Sequence, residues 1–423
     1  MDKRLNEYRS EGSKPRFGFQ TFRSFKNPVY RLYFGGMLGQ MMSMNMQMLA
    51  RSLLIYRLTG SAAVLGAMSF ANAIPMISLS LFGGVIADRV QKKYVLLIGQ
   101  AASAIISLSV AITLSTGYLS VEHGGSWWVL VVASVGQGTI LGLMMPSRQA
   151  IVPEIVKDEE ELMNAISLSS MGMNTLRLFA PALAGLLIDA IGFEAVYYVT
   201  TGSYLSAVVF ISFLPLTSTI TLSGGGAIDD IKEGLRYLRK EINIMLVLGF
   251  SLVMVVLSMP YILLLPVFAD DILKVGATGM GVLMSVSGLG AMAGSLILAS
   301  LPNRKRGLML LVSGVLMGSA LAAFSFSSIW PLSLTLVVFV GLGQSGQMTL
   351  GNTLIQYYVD DQYRGRVMSI FFMQFGFTSF GAFAAGLLAE KVGVQTAVGS
   401  FALILVALSV LAIIFLPRIR NLD

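Results

Sequence analysis

Two arginines lie inside long apolar stretches of the sequence, and each belongs to a stripe of polar residues at helical spacing. In the first stretch, Gly36, Gln40, Ser43, Gln47 and Arg51 fall within about 80° of one another at about 100° per residue. A polar stripe in a membrane helix faces protein or water, because lipid would leave its polar groups unsatisfied. A guanidinium on such a stripe carries a permanent positive charge, so the chemistry it favours is the binding of an anion.

The fifth apolar stretch carries a second stripe, centred on Arg177. The residues that share its arc of about 80° are Ser167, Ser170, Asn174, Pro181 and Gly185. An arginine near the middle of a membrane helix costs about 2.5–3.5 kcal/mol on insertion scales. Two interpretations of both arginines stay open. They line an aqueous cavity and attract an anionic substrate, or they donate to carbonyls, amide side chains or Asp189.

Amide side chains in other apolar stretches extend the predicted cavity, although each could instead hold two helices together. The candidates beyond the two stripes are Asn45, Gln137, Gln344, Gln347 and Gln374. The predicted cavity lining is Gln40, Ser43, Gln47, Arg51, Gln137, Asn174, Arg177, Gln344 and Gln347. The many methionines of the first stretch would provide an adaptable apolar surface there, or only apolar bulk.

Enzyme chemistry finds little support in the composition. The chain has no cysteine and one histidine, His123, which lies in a short polar loop. Thiolate nucleophiles, thiolate metal sites and histidine-based triads are therefore excluded or disfavoured. The sequence predicts no catalytic residue, no metal site and no cofactor, and we expect a protein that is not an enzyme.

The elements that carry these residues are membrane-spanning helices. Of 423 residues, 55% are hydrophobic and 12% are charged, about half the charge of a soluble domain. The apolar residues form blocks of about 20, the length at which a helix crosses a bilayer. The predicted helices cover 32–56, 62–86, 94–116, 127–146, 164–190, 195–215, 243–268, 277–301, 307–327, 331–352, 367–389 and 395–416. The predicted fold class is an all-α membrane protein with twelve transmembrane helices.

One spacer is longer than the others and divides the chain into two six-helix halves. It starts Gly-rich, and Ile228, Ile231, Leu235 and Leu238 then recur at helical spacing among charges, which predicts an amphipathic surface helix. The predicted domains are a basic N-terminal arm (1–31), an N-terminal half (32–216), a cytoplasmic linker (217–242), a C-terminal half (243–416) and a tail (417–423).

The distribution of basic residues predicts the orientation, because cytoplasmic loops carry an excess of Lys and Arg. With both termini in the cytoplasm, 24 of the 29 basic residues fall in cytoplasmic segments. The outer loops then hold only Arg57, Lys274 and Lys391. We expect a multi-pass protein of the bacterial cytoplasmic membrane.

The two halves resemble each other in sequence. Residues 184–192 (AGLLIDAIG) match residues 385–393 (AGLLAEKVG) at an offset of 201. At an offset of 205, the glycines at 136 and 138 match those at 341 and 343. Such similarity between halves is typical of transporters built from structural repeats, whose substrate site lies near mid-membrane between them. We therefore expect two pseudo-symmetric halves around a central site.

The loop between helices 2 and 3, GVIADRVQKKYVL at 84–96, resembles the signature loop of the major facilitator superfamily. The family pattern is Gly-x-Leu-Ala-Asp-Arg-x-Gly-Arg-Lys-x-x-Leu, from which this chain departs with Gln91 at the second glycine. The resemblance implies the major facilitator fold and a cytoplasmic gate in which Asp88 contacts the start of helix 11. The gating residues it implies are Gly84, Asp88, Arg89, Lys92, Lys93, Arg364 and Arg366.

Residues 146–192, and RGRVMS at 364–369, are similar to the bacterial branch that exports enterobactin and macrolides. In helix 5, Pro181 and Gly185 match part of the antiporter motif and are predicted to serve helix packing. The chain departs from proton-coupled members, because helices 1 and 4 contain no interior carboxylate. Proton antiport is thus implied by the resemblance and not by these residues.

We therefore expect a secondary exporter of amphiphilic organic molecules, anionic or neutral, such as siderophores or drugs, that works by alternating access. Two alternatives keep the same fold: a lipid or lysolipid flippase, and a proton-coupled multidrug antiporter for cations. The expected partners are the substrate, membrane lipids and either protons or the membrane potential as the driving force. We expect a monomer that binds no nucleic acid.

Overall fold

The computed structural model describes residues 20–123, 125–156, 158–216, 233–234, 236–302 and 304–423. Its long helices are α1 (Pro28–Thr59), α2 (Ala62–Arg89), α3 (Lys92–Ser115), α4 (Trp128–Ile155), α5 (Glu159–Ala190), α6 (Phe193–Ser212), α7 (Ile242–Ile272), α8 (Gly276–Ser300), α9 (Arg306–Ser325), α10 (Trp330–Tyr358), α11 (Arg364–Val392) and α12 (Val394–Phe415). Short helical turns cover Gln20–Lys26, Asp361–Tyr363 and Pro417–Arg420. Most of the predicted linker, including Ile228, Ile231 and Leu235, lies outside the described residues.

The predicted fold class is confirmed: the described chain is helical, and eleven of its helices are long and apolar enough to cross a membrane. The remaining long helix is α1, which has 32 residues and carries the polar stripe around Arg51. The helix α7 is interrupted at Met259 and ends in a π-helical turn, Phe268–Ile272. The proline that follows Met259 explains this interruption, since it donates no backbone hydrogen bond.

Several helices are longer than the sequence predicted. The helix α4 was expected to end at 146 but continues to Ile155, through Pro146 and Pro153. The helices α5 and α10 also extend further at their cytoplasmic ends, to Glu159 and Tyr358. Hydropathy identifies only the part of a helix inside the bilayer. It therefore does not predict the polar helical turns that project beyond the bilayer.

Glycine allows the helices within each half to pack closely. A Cβ at Gly138 of α4 would overlap the carbonyl oxygen of Asn72 in α2, and one at Gly341 of α10 would overlap that of Ser287 in α8. These equivalent contacts pair Gly138 with Gly341, an offset of 203, and correct the offset of 205 predicted from the glycine pattern alone. The pattern GxG occurs in both helices, so sequence matching slipped by two residues.

The Gly138→Ala variant is expected to lose about 1–3 kcal/mol of stability, because the new methyl group meets backbone that cannot move aside. The Gly136→Ala variant is the matched control, since its methyl would meet only the flexible end of the Ile106 side chain, at 2.8 Å. Thermal unfolding of the two purified variants in detergent measures the difference. Equal midpoints for the two would show that α2 and α4 do not approach each other at Gly138.

The N-terminal half (α1–α6) and the C-terminal half (α7–α12) meet mainly along two helix pairs. The helix α2 packs against α11, and α5 packs against α8. Small residues line both contacts, as expected where no hydrophobic effect drives helices together in lipid. These two pairs frame the space in which the predicted site lies.

Candidate functional site

A chamber of about 540 Å³ lies between the two halves, on the side of their contacts that is predicted to be cytoplasmic; we call it the inner chamber. Its N-terminal wall is formed by α1 and α5, and its C-terminal wall by α7, α8, α10 and α11. Its polar side chains include Asn45, Asn174, Arg177, Gln344 and Gln347. None of the described residues that line it is acidic.

Arg177 is exposed within the inner chamber and bridges the two halves. Its Nη2 donates to the Oε1 of Gln344 at 3.2 Å, and the Gln344 amide nitrogen approaches the Met259 sulfur at 3.5 Å. Gln344 therefore satisfies one of the five guanidinium N–H groups but supplies no counter-charge. An anion in the chamber would replace a neutral acceptor with a charged one, and such hydrogen bonds are roughly twice as strong.

A second chamber of about 270 Å³, the outer chamber, adjoins the first and contains Arg51. It is mostly apolar and rich in methionine, with Met48, Met68, Met259, Met280 and Met284 among its lining residues. The Arg51 Nη1 donates to the Ser134 hydroxyl at 3.4 Å, a long hydrogen bond to a neutral group. The inner and outer chambers share Met48, Met259, Ile262 and Phe375.

The structure brings together most of the predicted cavity residues. Asn174, Arg177, Gln344 and Gln347 line the inner chamber, and Arg51 lines the outer one. The amides of Gln47 and Gln137 lie beside Arg51 in a small side pocket and hydrogen-bond to each other at 3.4 Å. The hydrogen bond between these two amides connects α1 to α4 beside Arg51.

Two predicted cavity residues lie elsewhere. Gln40 is buried against α4, with its amide nitrogen 4.0 Å from the Met144 sulfur. Ser43 donates to the Thr200 carbonyl oxygen of α6 at 3.0 Å. The polar stripe of α1 is therefore covered by its own half in its cytoplasmic part and opens to the chambers only in its outer part. Sequence spacing fixes a helical face but not where a neighbouring helix crosses it.

The predicted cytoplasmic gate is described only in part. Gly84 lies within α2, but the side chain of Asp88 is outside the described part of the chain, so the contact between Asp88 and helix 11 stays a prediction. Lys92 pairs with Glu154 at 2.7 Å, and Lys93 donates to the Leu214 carbonyl oxygen at 2.5 Å. Both lysines thus tie the loop to α4 and to the end of α6, within the N-terminal half.

At the start of α11, the predicted gating arginines lie next to the linker. Arg366 pairs with Glu233 at 3.3 Å, and Arg364 is the first residue of the helix. Arg89, the last residue of α2, is exposed. Tyr237 of the linker stacks on Tyr363, with ring centroids 4.3 Å apart. Burial raises the pKa of Tyr237. The described end of the linker is therefore attached to the C-terminal half.

The end of the molecule that is predicted to face outward is closed by two equivalent carboxylates, to which the sequence analysis assigned no gating role. Asp189 of α5 accepts hydrogen bonds from the backbone N–H groups of Thr278, at 2.7 Å, and Ala277, at the start of α8. Glu390 of α11 accepts from the backbone N–H of Ala63, at 3.2 Å, and from the Ser61 hydroxyl, at the start of α2. Each carboxylate caps the positive end of a helix in the other half.

The two caps occupy the same place in the sequence repeat at an offset of 201. Asp189 ends the run AGLLID, and Glu390 ends the run AGLLAE. The glycines of these runs, Gly185 and Gly386, let the helices touch: a Cβ at Gly386 would lie 2.6 Å from the Ala62 carbonyl oxygen, and one at Gly185 would overlap that of Ala277. The repeat was visible in the sequence, and an acid at one position in both copies was the available signal.

Two further contacts complete this closure. Arg57 forms two hydrogen bonds with Asp270, of 2.8 and 3.1 Å, and the Tyr56 hydroxyl donates to the Asp271 carboxylate. These pairs join the outer end of α1 to the outer end of α7. We call the four contacts, made by Asp189, Glu390, Asp270 and Asp271, the outer gate.

The predicted packing residues of helix 5 lie directly below the outer gate. The Pro181 carbonyl oxygen lies against Gly281, and Gly185 lies against Ala277. Contacts between α5 and α8 continue down to Leu178, whose carbonyl oxygen accepts from the Ser285 hydroxyl. Below this level, Asn174 and Ser295 line the inner chamber and are exposed. The described contacts therefore join the two halves at the end predicted to face outward, and the inner chamber lies towards the end predicted to be cytoplasmic.

Comparison with known proteins agrees with this arrangement. The family model of the transmembrane secretion effectors, within the major facilitator superfamily, matches residues 19–423. The chain belongs to this family. The resemblance inferred from residues 84–96 is thereby confirmed, and the chain is a multi-pass membrane protein whose family and relatives are transporters.

Three relatives show the range of named activities. The chain is 24% identical to the staphyloferrin A transporter of Staphylococcus aureus over 342 residues, which is 79% of this chain and 83% of that protein. It is 26% identical to the multidrug efflux pump Tap of Mycolicibacterium fortuitum, covering 88% and 91%. It is 27% identical to the enterobactin exporter EntS of Citrobacter koseri, covering 91% and 89%.

Solved structures share the fold. The nucleoside transporter NupG superposes with a TM-score of 0.70 at 16% identity, covering 92% of this chain and 99% of that one. A bacterial homologue of the human lysosomal transporter Spinster, in an inward-facing and unoccupied conformation, superposes with a TM-score of 0.71 at 13% identity, covering 97% and 98%. Both likenesses support the major facilitator fold.

Proposed function

We propose that the protein exports amphiphilic organic anions, and neutral molecules of similar shape, across the bacterial cytoplasmic membrane. The observation that carries the proposal is the inner chamber, where Arg177 faces open space between the halves with a neutral amide as its hydrogen-bond partner. The named relatives, two siderophore transporters and a multidrug pump, support export and a cargo of this kind. Both termini would then lie in the cytoplasm.

The proposed mechanism is alternating access between two halves that rock about the chambers. In the described state the outer gate holds α2 to α11 and α5 to α8, so substrate enters from the cytoplasm. Release requires the outer gate to open and the cytoplasmic side to close, where Asp88 and the arginines of α11 are the proposed contacts. An inside-negative potential favours the outward movement of an anion by about 2.3 kcal/mol per charge per 100 mV.

Cationic drugs and lipids are the two alternative substrates, and each would require a feature that can be compared with the structure. Cationic drugs would need a carboxylate in the chambers, and the described lining residues of both chambers include none. Lipid transport would need an entry from the bilayer. The inner chamber lies between α5 and α8 below their last contact at Leu178, which is where such an entry would form.

Thermal stabilisation of the purified protein by charged and neutral amphiphiles tests the proposal. We expect anionic ligands to raise the unfolding midpoint most, with a smaller shift at high salt, because salt screens the attraction to Arg177. The Arg177→Met variant should lose the anion-specific part of the shift and keep the neutral part. Stabilisation mainly by cations would contradict the proposal and favour the multidrug alternative, whereas stabilisation only by lysolipids would favour the flippase.

A further inference from the structure

We propose that Arg177 and Arg51 are two successive binding stations for one oxyanion group of the substrate, which therefore crosses the protein with its charged group leading. This inference rests on the proposed export of anions. It assigns different roles to two arginines for which the sequence left the same two interpretations open, anion binding or internal hydrogen bonding.

The two arginines lie at different depths. Arg177 stands twelve residues below Asp189 on α5, and Arg51 stands five residues below Tyr56 on α1. Because a helix rises about 1.5 Å per residue, Arg177 lies about 18 Å below the outer gate and Arg51 about 8 Å below it. The two charges are thus separated by about 10 Å along the direction of transport, with Arg177 nearer the cytoplasm.

The two chambers are connected, and they follow one another along the transport direction in the same order as the two arginines. The inner chamber of about 540 Å³ is of the size that encloses a drug-sized molecule, and it lies towards the end predicted to be cytoplasmic. The outer chamber of about 270 Å³ is smaller and lies under the closed outer gate. Met48, Met259, Ile262 and Phe375 border both, so the passage between the stations is apolar and its methionines can adapt to a substrate body.

Each arginine is held by a weak neutral contact that an oxyanion can replace. Arg51 donates to the Ser134 hydroxyl oxygen at 3.4 Å, and that hydroxyl in turn donates to the Leu130 carbonyl oxygen. The nearby acids of the outer gate are occupied, Asp270 by Arg57 and Asp271 by Tyr56. A carboxylate, sulfonate or phosphate with two oxygens matches the guanidinium fork at either station.

The size difference sets the order of events. In the described state a substrate that enters the inner chamber meets Arg177 first, and the smaller outer chamber has room for its charged group but not for its apolar body as well. When the outer gate opens, the outer chamber enlarges and Arg51 attracts the group away from Arg177 towards the exit. Arg177 therefore governs affinity on the cytoplasmic side, and Arg51 governs the rate of passage.

A matched pair of fluorescent probes tests this assignment: dansyl sulfonate, which is permanently anionic, and dansylamide, which is neutral and nearly the same shape. Binding is measured by fluorescence on the purified protein, and flux by efflux from loaded vesicles under an imposed inside-negative potential. The Arg177→Gln variant should raise the Kd and KM for dansyl sulfonate about 10- to 100-fold. The Arg51→Gln variant should leave that Kd within about threefold and lower the maximal flux about tenfold or more.

Further variants separate a charge station from a structural role. Arg51→Lys should recover more dansyl sulfonate flux than Arg51→Gln, and dansylamide flux should be the same in all Arg51 variants. An equal loss of dansylamide flux, or a loss of anion binding in Arg51→Gln as large as in Arg177→Gln, would overturn the two stations but leave anion export standing. Absence of saturable binding and flux of dansyl sulfonate in the unmodified protein would overturn anion export itself.

Discussion

Replacing Asp189 and Glu390 together by alanine is expected to shift the protein by about thirtyfold towards conformations that are open on the outer side. Each carboxylate caps the first turn of a helix in the opposite half, and loss of such a cap costs about 1 kcal/mol. Two independent caps therefore contribute about 2 kcal/mol to closure, which is about thirtyfold in the ratio of closed to open forms. Either single variant should shift that ratio by about fivefold.

Spin-label distances measure this shift without background labelling, because the chain contains no cysteine. Cysteines placed at Val121 and Ile329, two exposed residues in the outer loops of opposite halves, report outer opening. Cysteines at Phe213 and Leu301, exposed at the cytoplasmic ends of α6 and α8, report the opposite movement. The double variant should lengthen the first distance and shorten the second.

Two controls separate the hydrogen bonds from the charge. Asp189→Asn with Glu390→Gln keeps an acceptor oxygen at each cap, so its shift should be smaller than that of the alanine pair. Glu122→Ala removes an exposed acid from an outer loop and should leave both distances unchanged. Unchanged distances in the alanine pair would show that the caps do not hold the outer side closed.

Enlarging Gly185 is expected to have a greater effect than removing its neighbouring cap. Its hydrogen atoms face the Ala277 backbone, and any side chain there would overlap the carbonyl oxygen of that residue. Since backbone cannot rotate away as a side chain can, Gly185→Leu should exclude the closed outer gate in its present geometry. Overpacking of about 3 kcal/mol would lower the ratio of closed to open forms by more than about 100-fold. Transport would then fall, because every cycle passes through the closed state.

Gly202→Leu is the matched control, because nothing lies within 4 Å of a Cβ at that exposed position of α6. Dansyl sulfonate efflux from vesicles and the distance between labels at Val121 and Ile329 are measured for both variants. We expect low flux and a long outer distance for Gly185→Leu, with normal values for Gly202→Leu. Normal flux in Gly185→Leu would mean that transport does not require α5 and α8 to meet at this point.

The contacts of the outer gate could not be predicted from the sequence. The repeat of AGLLID and AGLLAE indicates duplication of the halves, and the loop around Asp88 is the part of the sequence that resembles a known gate. Nothing in a single sequence says that an acid at the end of α5 meets the first turn of α8, because the two lie 89 residues apart. Only the crossing of the two helices brings them together.

For the polar stripe of α1, the sequence predicted the helical face correctly but not which neighbouring helices cover it. Its spacing correctly places Gln40, Ser43, Gln47 and Arg51 on one face of the helix. That face is divided in the structure, with Gln40 and Ser43 packed against α4 and α6, and Arg51 in the outer chamber. Helical periodicity defines a direction around the axis, but neighbouring helices cross it at an angle and cover only part of its length.

By itself the sequence determined the number and place of the membrane helices, the division into two related halves and the family. These follow from the length of apolar blocks and from local motifs, since a bilayer forces each block of about 20 apolar residues into a helix. The tertiary structure alone decided which polar residues share a chamber, that Arg177 and Arg51 line different chambers, and that Asp189 and Glu390 cap helices of the opposite half. Those relations join residues of different helices, and their geometry is set by helix packing at glycine contacts that no local pattern specifies.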